Sequence, residues 1–120
     1  MAQAETRLRW LRIVAGGFLA EAVLIGIAIP VGLKFGQHPL LWIAPAGSLV
    51  LCFIFGWWAA RGAGSRFALH GLLVGMVAML IYLALTRLQA EPWEYVAAHA
   101  LKLLGGAAGG VVAGRRKSAG

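Results

Sequence analysis

Glu21, His99 and Lys102 are the residues of this 120-residue chain whose types and placement suit chemistry. Each lies well inside a long apolar stretch, and Glu21 interrupts the otherwise apolar run from Ile13 to Leu33. Ionisable groups at such depth in lipid are rare, turn toward the protein interior, and mark proton or ion pathways by default. A carboxyl and an ammonium can form a buried pair, whereas a carboxyl that exchanges its proton can carry protons or cations. At about 1.5 Å of helical rise per residue, Glu21 lies roughly 14 Å from Arg12 and Lys102 roughly 20 Å from Arg115. The resulting offset in depth of about 6 Å is one that a lysine stem largely bridges. Helical side chains lean toward their own N-terminus, so Glu21 and Lys102 lean apart and a strained pair is expected. His99 stands one turn from Lys102, at i and i+3, within reach of the same network.

Other residues offer less. His70 is four residues from Arg66, near one interface, and His99 is toward the other, about 18 Å away in depth, so the two cannot ligate one haem. Either histidine alone as a pigment or haem ligand is a distant third reading, and His38 belongs to a turn. Cys52 is the only cysteine, which excludes a disulfide framework or a CxxC motif. The chain has no aspartate, no acid pair, no Ser–His–acid set, no metal-ligand cluster and no phosphate-cradling glycine loop. No enzymatic activity, cofactor or metal site is expected.

The elements that must position these residues follow from composition. With 61% hydrophobic and 12% charged residues and a mean hydropathy of +0.81, the chain belongs in a bilayer. Polar clusters divide it into four stretches, about 11–33, 40–60, 67–88 and 93–114, each near the roughly 20 residues that cross the hydrocarbon core. Lipid cannot satisfy exposed backbone groups, and the ten-residue alternation of barrel strands is absent, so the stretches are expected to be helices. The predicted fold is all-α: one polytopic membrane domain over 1–120, an antiparallel bundle of four transmembrane helices. Short connections join them: Phe35 to Pro39, Arg61 to Arg66 through Gly62-Ala63-Gly64-Ser65, and Gln89 to Pro92. A basic start before an apolar run also suggests a signal peptide, but Ile13 to Leu33 is too long and no small-residue cleavage site follows at Lys34-Phe35-Gly36-Gln37; it reads as a retained span.

Arg7, Arg9, Arg12, Arg61, Arg66, Arg115, Arg116 and Lys117 fall on one side of this layout, and only Lys34 and Arg87 on the other. Both termini and the middle connection should therefore face the cytoplasm, in a bacterial inner membrane. The formal charge of +7 gathers at helix ends, so the expected partners are anionic lipid headgroups, not nucleic acid. Trp10, Trp42, Trp57, Trp58 and Trp93 lie near the same boundaries, as interfacial anchors do.

Gly105, Gly106, Gly109, Gly110 and Gly114 form overlapping small-xxx-small ladders in the fourth stretch, and Gly71 with Gly75 repeats the pattern in the third. Such faces let helix backbones approach closely, within one chain or between subunits. Pro30 and Pro45 sit in the outer halves of the first two stretches, where freed carbonyls would line a small outward cavity above Glu21. A shift of 54 residues lays Arg12 on Arg66, Gly17 on Gly71, Leu19 on Leu73, Val23 on Val77 and Ile27 on Ile81. This suggests two tandem hairpins related by an axis along the membrane normal.

Through Gly16-Gly17-Phe18-Leu19-Ala20-Glu21, with Lys34 where the stretch ends, the first helix resembles that of the small multidrug resistance transporters. The resemblance implies four helices and a proton-coupling role for Glu21; Lys102 has no counterpart in that family. The layout is also similar to small four-span bacterial inner-membrane proteins with a glycine-rich last helix. The residues favour an oligomeric scaffold or accessory subunit of a larger membrane assembly, built on the glycine ladders. The alternative is a proton-coupled exporter or small channel, with Glu21 as coupling acid and Tyr82 or Trp42 as substrate contacts.

Overall fold

In the computed structural model, which describes residues 8–63, 66–87, 89 and 93–119, the apolar stretches form four helices. They are α1 (Trp10–Phe35), α2 (Leu40–Arg61), α3 (Phe67–Leu85) and α4 (Trp93–Ala119). All four are long and apolar enough to cross a membrane, and no strand occurs among the described residues. Arg7, Gly64, Ser65, Leu88, Pro92 and the side chain of Lys117 lie outside the described residues.

Two boundaries differ from the sequence expectation. α3 stops at Leu85, three residues early, because Thr86 turns its hydroxyl back onto the carbonyls of Tyr82 (3.1 Å) and Leu83 (3.3 Å). Arg87 then takes a left-handed φ of 54°, which no continuing helix accepts. α4 instead runs on past Gly114, its last described turns carrying Arg115 and Arg116, where cations favour a helix C-terminus. α1 and α2 continue through Pro30 and Pro45 without a break. After α1 the chain reverses at Gly36, whose φ of 85° suits glycine and whose N–H donates to Gly32 O at 3.0 Å.

The glycines decide how the helices pack. Gly105 and Gly109 set α4 against the backbone of α2 at Leu49 and Phe53, while Gly106 lies between Gly56 of α2 and Gly71 of α3. Gly110 abuts the Phe67 carbonyl and Gly75 abuts that of Lys102, so a Cβ at any of these positions would strike backbone. Residue numbers rise together along α2 and α4 and run oppositely along α3 and α4. α1 packs on α3 through Gly16 and Gly17, which face Val74 and Val77, and on α2 through Leu24 against Gly47. Every pair of helices makes a close backbone approach except α1 and α4. In cross-section the helices therefore form a rhombus, with α2 and α3 across the short diagonal and α1 and α4 at the far corners. A two-fold relating the hairpins would repeat the α2–α3 contact as an α1–α4 contact, which is missing, so the helix arrangement does not carry the repeat.

The buried interior is made of small residues, with Ala20, Cys52 and Ala78 clustered and Leu51 and Phe55 packed around them. Large apolar side chains such as Leu11, Phe18, Trp42 and Leu104 point outward. That inversion of a water-soluble core is what lipid permits, since in lipid close backbone packing holds helices together.

Candidate functional site

Although the backbones of α1 and α4 stay apart, their side chains Glu21 and Lys102 meet between them. Lys102 Nζ lies 3.0 Å from Glu21 Oε2 and donates to Oε1 at 3.3 Å; both residues are buried, at 1% and 2% exposure. The lean of the two helices predicts a strained approach, and two glycines relieve it. Gly75 lets α4 settle on α3 at the level of Lys102, and Gly17 lets α1 settle on the same helix at Val77. The lysine stem then crosses the remaining space, its ammonium 4.9 Å from the centre of the Tyr82 ring. At that range an aromatic face also attracts a cation.

The pair forms part of the wall of a cavity of about 160 Å³ on the Lys34 side of Glu21, and neither Pro30 nor Pro45 is among its lining residues. Leu24, Ile25 and Ala28 of α1 and Leu40, Ile43, Ala44 and Ser48 of α2 form one side of it. Tyr82, Tyr95, Ala98 and His99 line the other. The His99 ring lies 5.1 Å from that of Tyr82, and Tyr82 meets Tyr95 edge to face at 6.3 Å. His99 is thus joined to the site through the tyrosine. Trp42, the other aromatic named as a substrate contact, is 74% exposed and contributes nothing to this wall.

Ser48 Oγ on this wall, 1% exposed, has no hydrogen bond among the described residues, whereas both carboxylate oxygens of Glu21 lie against the Lys102 ammonium. Buried polar atoms are nearly always satisfied by protein or by water. A cavity of about 160 Å³ holds about five waters at roughly 30 Å³ each, so Ser48 Oγ borders a space that accommodates a partner.

Sequence reasoning singled out Glu21, His99 and Lys102, and all three line this cavity. It missed Ser48, although a lone hydroxyl three residues after a proline inside an apolar helix is a usable signal. It also missed the part played by His70. That ring is fully buried at the other end of the helices, where Nδ1 donates to Arg66 O at 2.8 Å and Nε2 accepts from the Arg9 N–H at 3.1 Å. One nitrogen must donate and the other accept, which fixes a neutral tautomer and ties the start of α1 to the start of α3. Nearby, Arg12 donates to Ala59 O and Trp58 O, the last carbonyls of α2, and stacks 4.2 Å over the Trp58 ring. Gly62 leaves the room this guanidinium occupies.

Comparison with protein-family models, with curated proteins and with solved structures finds no match to this chain. The likeness to small multidrug resistance transporters therefore rests on the first-helix residues alone.

Proposed function

We propose that the chain is an integral protein of a bacterial inner membrane, with both termini and the Arg61–Arg66 connection on the cytoplasmic side among anionic headgroups. Arg9, Arg12, Arg61, Arg66, Arg115 and Arg116 gather where α1 and α3 begin and α2 and α4 end, in keeping with the positive-inside bias. Its activity in that setting is the proton-coupled passage of a small organic cation through the cavity beside Glu21. The observation that carries this reading is the Glu21 carboxylate on a cavity wall shared with Tyr82, Tyr95 and Ser48, whose Oγ has no hydrogen-bond partner among the described residues. Acceptor oxygens beside aromatic faces favour a cation. The oligomeric scaffold expected from the glycine ladders loses that support, because Gly71, Gly75, Gly105, Gly106, Gly109, Gly110 and Gly114 all abut helices of the same chain.

Charge balance gives the coupling. With Glu21 as the coupling acid, its carboxyl holds either one proton or the cation. A cation that binds the protonated carboxyl leaves a cation–carboxylate pair and one released proton, and the reverse step reloads the carboxyl. The cavity of about 160 Å³ is below the roughly 300–1,000 Å³ of sites for drug-sized molecules. The resemblance to multidrug transporters thus extends to coupling and not to substrate size.

The test is proton flux in liposomes containing the purified protein and a trapped pH dye. Tetramethylammonium is the probe, because it has no neutral form to leak through lipid. Its outward gradient is expected to acidify the lumen, more slowly with Ser48→Ala and not at all with Glu21→Gln/Lys102→Met, which keeps the site neutral. A wild-type trace indistinguishable from empty liposomes overturns the proposal.

A further inference from the structure

At the arginine-rich end, Trp57 and Arg61 of α2 and Ala113 and Arg116 of α4 line an open groove of about 490 Å³. Cations near helix C-termini ordinarily serve the terminal carbonyls, but here that work is done by others. Arg12 takes the carbonyls of Trp58 and Ala59, and the N–H groups of Gly62 and Ala63 take those of Ala59 and Ala60. Arg61 instead stacks over the Trp57 ring, 4.8 Å from its centre. A guanidinium stacked in this way keeps its in-plane N–H donors for another partner. No carboxylate supplies one among the described residues: Glu21 is paired with Lys102, and Glu94 is in the first turn of α4, at the opposite end of that helix. Ala113, with only a methyl side chain, is the small residue that borders the groove beside the two arginines.

We propose that this groove binds the phosphate of an anionic glycerophospholipid. Two planar guanidiniums match phosphate oxygens bidentately, and an indole beside them suits headgroup depth. The lipid source is favoured over free phosphate by what leads away from the groove. Along α2, Val50, Phe53, Trp57 and Arg61 follow one another at helical spacing, and Val50 and Phe53 are 54% and 37% exposed. An apolar stripe thus runs from the charged groove toward mid-membrane, where an acyl chain lies against it. The inference rests on the membrane setting proposed above and is independent of what occupies the cavity beside Glu21.

Native mass spectrometry of the full chain, released from detergent with phosphatidylglycerol or phosphatidylcholine, tests the site. The wild type is expected to retain one phosphatidylglycerol at least ten-fold more tightly than phosphatidylcholine. Arg61→Gln/Arg116→Gln changes two exposed residues and is expected to erase that preference. Arg116→Gln alone leaves the Arg61–Trp57 stack intact and should already weaken it several-fold. Arg66→Gln/Arg115→Gln removes the same charge outside the groove and should leave the preference in place. Equal losses in the two double variants, or a preference that survives Arg61→Gln/Arg116→Gln, overturns the proposal. Displacement of the lipid by millimolar inorganic phosphate would assign the groove to free phosphate and overturn the lipid assignment.

Discussion

α4 and α1 occupy opposite corners of the same rhombus and are held by opposite means. α4 meets α2 and α3 backbone to backbone, through seven positions where no side chain intervenes: Gly56, Gly71, Gly75, Gly105, Gly106, Gly109 and Gly110. α1 has such an approach only around Gly16 and Gly17, and at Gly26 a Cβ would meet nothing. Elsewhere it is fastened by polar links at its start, Arg9 to His70 and Arg12 to the end of α2, and by one ion pair at mid-depth. The cavity lies on the α1 side of this division, bordered by the pair. The contrast teaches that the chain divides its helix contacts by residue size: glycine where backbones meet, and long side chains where a gap must be crossed.

Breaking the fastening of α1 gives the largest expected effect. Lys102→Met leaves a buried carboxylate without its counterion and should destabilise the protein by about 3–5 kcal/mol, whereas Glu21→Gln/Lys102→Met should recover most of that loss. Unfolding in detergent with increasing SDS measures both, and a double variant no better than the single one would show that the pair does not hold α1. Next in size, Gly106→Val drives a side chain into the backbone of Gly71 and should cost about 1–3 kcal/mol. Its matched control on the loose side, Gly26→Ala, should leave stability unchanged or raise it by up to about 1 kcal/mol. Similar costs at the two sites would erase the distinction between the helices. The smallest effect is expected from Arg12→Ala, which frees the last carbonyls of α2 at a cost of about 1 kcal/mol. Hydrogen exchange should speed up roughly five-fold in the last turn of α2 and remain unchanged in α4.

Much of this contrast can be read in the sequence, and the part that cannot has a physical cause. Hydropathy places all four helices, because lipid imposes a length and forbids unsatisfied backbone. Glu21 and Lys102 stand out because charge at mid-depth is costly, and rise per residue puts them within a stem's length of each other. Rise does not give rotation about the helix axis, so whether the pair closes, and that Ser48 joins the cavity while Trp42 faces away, depends on which faces the glycines bring together. The end of α3 was hidden for another reason. Leu83 to Leu88 is apolar enough to continue, but the hydroxyl of Thr86 competes for the preceding carbonyls. The glycine ladders were visible as close-packing faces, yet a spacing pattern does not say whose backbone will fill them.

The ion pair joins the first helix to the last across 81 residues of sequence. α1 is synthesised well before α4, so in the membrane setting proposed above Glu21 is without its counterion until Lys102 has been made and inserted. Closure of the pair therefore reports that α4 has joined α1. A chain halted after α3 has every close helix–helix approach that α1 makes here and still lacks the ammonium that pairs with Glu21, a chemical mark that distinguishes it from a chain that includes α4.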